Sequence, residues 1–341
     1  MKKFLSILLV AVLLISAAGC GGGGDTGDGN QAGQNKGDSD KVYTLKLAHQ
    51  ASTTHPNQFA AEEFKKKVEA ESDGRLKIEI FTDGTLGQDR DLAEGAQAGT
   101  VDMALVTVGP LVSFIPELGA LDLPFVFKDF DHGFKFIESD VATSLDSEYE
   151  AKNLVNLGFY SQGFRHLTNS QKPVTGVDDI KGMKIRVMQS PIFIDTFNTL
   201  GASAVPMAWS EVYTSLQQGT IDGQENPVQV IRSMKVYEVQ KYLSLTGHTF
   251  SFINFIGSKN SLGKLPADLV DIIKNAATEV MPATMEKVQK DDAADLEKLK
   301  ELGMEVNEVD DKKAFQDKIK GVYDNFAKEN GDTFLNGVLG L

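Results

Sequence analysis

The stretch GMKIRVMQSPIFIDTFNTLGASAVPMAWSEVYTSLQQGTIDGQENP, residues 182–227, switches twice between the period of a strand and that of a helix. Lys184–Val187 reads as a strand, Pro191–Leu200 as a helix, Ser203–Pro206 as a second strand and Glu211–Gln218 as a second helix. Ser190 can cap the first helix, Pro191 suits its first position and Gly201 suits its end. Strands alternating with helices indicate an α/β fold whose mostly parallel sheet is covered on both faces.

The same cadence runs through the preceding part of the chain. Val42–Ala48 alternates as a strand, His55-Pro56 opens an amphipathic helix through about Ser72 that ends at Asp73-Gly74, and Leu76–Phe81 is a second strand. Asp89–Ala98 reads as a helix closed by Gly99, and Val101–Val106 as a buried strand. Gln97-Ala98-Gly99-Thr100-Val101-Asp102 echoes Gln218-Gly219-Thr220-Ile221-Asp222, each after a helix and before an apolar step. Two α/β lobes of related design follow, with a cleft between them. Phe250–Ser258 is a further strand, and Leu265–Leu302 a helical stretch with Pro282 inside it. At 1.5 Å per residue that stretch spans about 57 Å, too long for one lobe, so it reads as a spine crossing both, kinked or divided at the proline. Residues 41–163 with about 252–291 are expected to form the first lobe, and 164–251 with about 292–341 the second.

The amino-terminal end carries a different signal. Lys2 and Lys3 precede an apolar run from Phe4 to Ala18, then Ala17-Ala18-Gly19 leads to Cys20, the sole cysteine. This is the form of an export signal. The run is short of the ~20 residues a membrane-spanning helix needs. Cys20 stands where a bacterial lipoprotein would be cut and acylated, a resemblance with one departure, Ala17 where leucine is usual. Plain cleavage and secretion is the alternative. Residues 21–40 hold eight glycines among Asp, Asn, Gln and Ser, and read as a flexible tether spanning roughly 25 Å. With one cysteine, no intramolecular disulfide can staple the exported domain. The net charge of −14 becomes −16 without Lys2 and Lys3, which argues against nucleic acid or anionic lipid as partner.

Ligands of open α/β sheets bind beyond the carboxyl ends of the strands. Arg186 lies at such an end, and its permanently charged planar fork matches the two oxygens of a carboxylate. A surface ion pair is the plainer reading for an isolated arginine. Here Asn226 precedes Pro227, so Asn226 is expected to cap the next helix, whose amino terminus would favour a nearby anion. Trp209, the sole tryptophan, followed by Ser210 as a cap, is either a core residue or a wall of the cleft. Arg165, in Gly-Phe-Arg-His-Leu-Thr-Asn (163–169), is a second candidate cation at an expected lobe crossing.

Gly-Met-Lys-Ile-Arg-Val, Pro-Met-Ala-Trp-Ser-Glu-Val-Tyr-Thr-Ser-Leu-Gln and Asp-Gly-Gln-Glu-Asn-Pro resemble the solute-binding subunit of TRAP transporters, the DctP family. So do Leu86-Gly87-Gln88-Asp89-Arg90, Leu123-Pro124-Phe125-Val126-Phe127 and Val236-Tyr237-Glu238-Val239-Gln240-Lys241, so the likeness covers residues 41–341. The resemblance implies a two-lobed periplasmic-binding-protein-like fold with no cofactor, in which Arg186 forms the salt bridge to a ligand carboxylate. It further implies that Arg165 and Asn226 assist, that Trp209 packs nearby, and that first-lobe contacts come from near Gln50 and Asp89. His49 and His55 could bond hydroxyls, or serve at a helix start or on the surface. The partners it implies are a small organic acid and membrane-embedded transporter subunits, with the receptor a lipid-anchored monomer.

No Gly-x-Ser-x-Gly elbow, phosphate loop, thiol nucleophile or metal-ligand spacing is present in the chain. An exported enzyme acting on acidic sugars is the competing class. Among acids, a C4-dicarboxylate would use both Arg165 and Arg186. A uronate such as glucuronate would use one carboxylate with hydroxyl partners such as His49, Gln50 and Asp89, and the polar first-lobe candidates favour it. Thr107 stands where sialic-acid binders of the family carry a glutamate, which disfavours sialic acid.

Overall fold

A computed structural model describes residues 41–309 and 311–341. The export signal, the tether and Cys20 lie outside the described residues. One nine-stranded mixed sheet organises the chain: β1 (Tyr43–Ala48), β2 (Leu76–Phe81), β3 (Met103–Thr107), β4 (Leu154–Asn169), β5 (Lys184–Val187), β6 (Ser203–Pro206), β7 (Gly223–Pro227), β8 (Tyr242–Ser258) and β9 (Glu305–Glu308). The strand order is β2-β1-β3-β8-β4-β7-β5-β6, with β9 against β8. Within the wing β2-β1-β3 and the wing β7-β5-β6 neighbours are parallel, as expected. The centre differs from that expectation, because β4 and β8 run antiparallel to each other and to the wings. These two strands, 16 and 17 residues long, are what join one lobe to the other.

Each wing has its first strand in the middle, flanked by its second and third. The short sequence echo falls at the same place in both. Gly99 (φ 78°) and Gly219 (φ 66°) end the preceding helices in the left-handed region that favours glycine. Thr100 and Thr220 each turn an amide and a hydroxyl back to a helix carbonyl, that of Gly95 and of Ser215. Asp102 then accepts from the Lys46 amide of β1 (2.8 Å), and Asp222 from the Lys184 amide of β5 (2.7 Å). The echo therefore encodes one device used twice: a carboxylate that pins the first strand of a wing to its third.

The spine is a single helix, Ala267–Glu301, which Pro282 does not divide. At 1.5 Å per residue it spans about 52 Å. Its Met281 and Met285 join the large core beneath β4 and β8, and its Leu299 joins a smaller cluster with Val212, Ile231 and Leu243. Asp295 pairs with Arg232 of the Val228–Ser233 helix. The end of the chain reaches both sides of the expected division. Phe334 packs edge-on against Phe136, the Val338 carbonyl bonds His132 (2.9 Å), and Tyr323 donates to the Pro124 carbonyl. These contacts are with residues assigned to the first lobe, while Lys318 donates to the Leu200 carbonyl (3.0 Å) and Asn325 to Asp195 (3.0 Å) in the second. Among the described residues no helix is long and apolar enough to cross a membrane.

Candidate functional site

The carboxyl ends of both parallel wings converge on one cavity of about 620 Å³, open solvent included, which Arg186, Trp209, Asn226, Gln50 and Asp89 all line. Arg186 is the penultimate residue of β5 and Asn226 of its parallel neighbour β7; Trp209 follows the end of β6. From the other wing, Gln50 follows β1, Thr107 ends β3, and Asp89 opens the helix after β2. Short parallel strands dictate this arrangement, since each carboxyl end delivers the polar residues at or just beyond it to the same edge. The lobes also touch there: the Ser210 amide donates to Gln88 Oε1 (3.2 Å).

Arg186 is 4% exposed. Its Nε and Nη2 donate to the Met207 carbonyl (3.2 and 2.9 Å), and its Cζ lies 5.3 Å from the centre of the Trp209 ring. These contacts fix the plane of the fork without neutralising it. Among the described residues no carboxylate forms a salt bridge with Arg186. Burial pulls its pKa down to about 10, with Glu225 opposing and Arg165 assisting, so the group stays charged at neutral pH but at a cost. A buried cation without a partner is unfavourable for the free protein. The Nη1 edge remains available to an anion that supplies the missing charge.

Two expected caps are not formed. The next helix begins at Val228 with Pro227 at its cap, and Asn226 is still in β7, its amide donating to Gln224 Oε1. Asn226 therefore presents a side chain to the cavity rather than a helix terminus. The Trp209–Gln217 helix starts one residue before Ser210, with Ala208 at its cap. Ser190 does occupy a cap position, but its hydroxyl makes no capping bond.

Asp89 is buried, accepting from Gln50 Nε2 (2.7 Å) and the Thr107 amide (3.1 Å) through Oδ2. Burial raises its pKa to about 7, against the pull of Thr107 and of Arg186. His55 lines the cavity and also caps the Pro56–Glu71 helix through Nδ1, which accepts from the Asn57 amide (3.0 Å). Burial depresses it to about 3, so it is neutral and carries its proton on Nε2, which the Gln162 side chain accepts only with its amide turned so that Oε1 faces the ring. Gln162, Met188 and Met207 also line the cavity and were not expected. Met188 and Met207 each follow a strand end by one residue, a signal the sequence does contain.

Two candidates are placed elsewhere. His49 is sealed beside Gln58 (3.1 Å) and does not line the cavity. Arg165, 1% exposed, is held behind it by both oxygens of Glu225, by the Glu225 carbonyl and by Ser251 (3.2 Å). Glu225 also bonds His248 Nε2 (3.1 Å). Burial pushes the Glu225 carboxyl up, but Arg165 and His248 outweigh it and its pKa is lowered. Among the described residues Arg165 thus has a counter-ion, and Arg186 has none.

Asp122, next to this network, has an Oδ2 with no partner, and burial raises its pKa to about 8. The unfolded carboxyl releases its proton near pH 4, so between about pH 4 and 8 the folded state holds the extra proton. Stability then falls as pH rises, by up to ~1.4 kcal/mol per pH unit. Asp122→Asn keeps the shape of the neutral acid, and melting temperatures across that range should fall less steeply for it than for the native chain. An equal slope in both would show that Asp122 is ionised in the fold.

Among the described residues no cluster of His, Cys, Asp or Glu could hold a metal ion. Residues 47–330 match the family model described as bacterial extracellular solute-binding protein, family 7. The chain is 34% identical over 289 residues to the 2,3-diketo-L-gulonate-binding periplasmic protein YiaO of Escherichia coli strain K12, covering 84% of this chain and 88% of that protein. It resembles the TRAP periplasmic solute-binding protein of Polaromonas sp. JS666 bound to D-erythronate, with a TM-score of 0.85, 35% identity and coverage of 87% and 98%. That of Chromohalobacter salexigens with D-glucuronate gives 0.84, 30%, 87% and 99%, and that of Sulfurospirillum deleyianum with succinate 0.83, 29%, 87% and 98%. A family model matched over most of the chain, with relatives alike in sequence and in fold, places this chain in the DctP family of extracellular solute-binding proteins.

Proposed function

We propose that this protein is the extracytoplasmic receptor of a TRAP transporter and captures a small hydroxylated monocarboxylate, a uronate such as glucuronate being the favoured class. The observation that carries this reading is the buried, unpaired guanidinium of Arg186. Arg186 would grip the carboxylate while Asn226, Gln50 and Asp89 bond the hydroxyls and Trp209 forms one wall. A C4-dicarboxylate is the second reading, which the relative with bound succinate keeps open. Against it stands the engagement of Arg165 with Glu225, and the other arginine lining the cavity, Arg90, is exposed and paired with Glu94. Closure would bend β4 and β8 where their register shifts, around Ser161–Gly163 and Arg165–Leu167. Acylated Cys20 and the tether would hold the receptor at the membrane for the embedded subunits.

Trp209 gives a direct assay, because it is the sole tryptophan and stacks on Arg186. D-glucuronate or D-erythronate should produce a saturable change in its emission and a rise in melting temperature. At 100 times Kd the stabilisation is about 2.7 kcal/mol. If no acid of either class moves the emission or the melting temperature, the receptor reading is wrong. Recovery of a chemically altered acid after incubation would favour the exported enzyme instead.

A further inference from the structure

Asp89 and Arg186 bring opposite charges to one cavity from opposite wings, and no salt bridge joins them among the described residues. The bonds that Asp89 accepts from Gln50 Nε2 and the Thr107 amide both fall on Oδ2, with the Thr107 hydroxyl adding to the pull on the carboxylate, and Oδ1 faces what enters the cavity. An acid whose carboxylate seats on Arg186 places a second carboxylate near Asp89 and at the same time cancels the one cation that favours its charge. Two carboxylates sharing a site from which water is excluded cannot both stay ionised without large cost. We propose that capture of an organic acid takes up a proton at Asp89, which then donates its O–H to the bound ligand. The proposal rests on the reading that Arg186 holds the ligand's carboxylate.

The other groups around Asp89 do not supply a replacement cation. His55, from the loop before the Pro56–Glu71 helix, is neutral, and the Tyr160 phenol of β4 is pushed well above its usual range. Gln50 and Thr107 carry no charge. On its own helix Arg90 pairs with Glu94 and Asp91 is turned to the Gln88 amide. The helix amino terminus favours the anion, yet burial already holds Asp89 near 7 in the free protein, with Arg186 pulling it down. Once Arg186 is paired with the ligand, that pull is lost and the value rises. The proton comes from solvent, and no bond of the ligand changes. Affinity is then flat below about pH 7 and falls as pH rises between the free and bound values, by up to about tenfold per pH unit. The ligand's own carboxylate ionises far below this window.

The test is calorimetric titration with D-glucuronate at about pH 8 in phosphate and in Tris, which differ in heat of ionisation. The heats should differ by the amount that uptake of up to one proton per bound ligand requires. Asp89→Asn, which cannot ionise, should show neither the buffer difference nor the fall in affinity above about pH 7. Equal heats in the two buffers for the native chain, or an unchanged difference in Asp89→Asn, would overturn the proposal. If D-glucuronate, D-erythronate and succinate all give no heat, the acid-receptor reading falls and proton uptake with it. Heat without buffer dependence sinks the uptake alone.

Discussion

Arg186→Ala is expected to weaken binding of D-glucuronate by about 30-fold to several-thousand-fold, since truncating one member of a buried charged pair costs roughly 2–5 kcal/mol. The same change should leave the fold intact. In the free protein Arg186 has no counter-ion, and its depressed pKa records a charge that the folded state disfavours. Removing it gives up the bonds to Met207 and the stacking on Trp209 while relieving that cost, so the stability change should stay within about 1 kcal/mol. Arg186→Lys separates charge from shape. It keeps the cation but loses the planar fork, and should bind with intermediate affinity. Calorimetry for affinity and urea unfolding for stability check both halves.

Glu225→Ala should do the reverse of Arg186→Ala and strike the fold first. It leaves Arg165 buried without its bidentate partner and His248 without its acceptor, a loss of about 3–5 kcal/mol. Urea unfolding of the free protein should show a midpoint far below that of the native chain. A paired Arg165→Met, Glu225→Leu variant, which removes both charges, should recover much of that loss, because buried pairs often break even with apolar residues of similar volume. If Glu225→Ala is as stable as the native chain, the pair with Glu225 is not what sustains the buried Arg165 guanidinium, and its assignment as a structural ion pair falls. The two arginines thus make opposite predictions: deleting Arg186 hits affinity, and deleting the counter-ion of Arg165 hits stability.

Much of the architecture is legible in the sequence because the wings obey simple patterning. Leu76–Phe81, Asp89–Ala98, Lys184–Val187, Pro191–Leu200 and Ser203–Pro206 form with the expected bounds. The strands missed are β4, β7 and the first half of β8, whose second half, Phe250–Ser258, was expected. β4 carries Asn156, Ser161, Gln162, His166 and Asn169, with Gly158 and Gly163 at register shifts, and β7 is Gly-Gln-Glu-Asn-Pro with all five residues buried. Buried polar strands leave no apolar alternation, and their satisfaction comes from partners distant in sequence, such as Thr168 with Gln224. The same residues explain the misplaced cap. Asn226 before Pro227 looks like a helix start until β4 claims it for the sheet.

At the site, the strand-end arginine and its neighbours Trp209 and Asn226 were readable from the residues, whereas Gln50 and Asp89, which line the same cavity, came only from the family resemblance. The contrast between the arginines was not, because Glu225 lies one residue from Asn226 and local sequence says nothing of which cation it faces. Nor was the seclusion of His49, because His49 and Gln50 both lie just past the end of β1, where the strand period no longer says which of them faces the cavity.

The most direct measurement is side-by-side calorimetry of D-glucuronate and succinate on the native chain and on Arg186→Ala. One free buried cation in the cavity requires that D-glucuronate bind one per chain, more tightly than succinate, and that Arg186→Ala lose that affinity. Tighter binding of succinate, or undiminished binding of D-glucuronate by Arg186→Ala, would contradict the assignment of Arg186 as the sole anchor of a hydroxylated monocarboxylate.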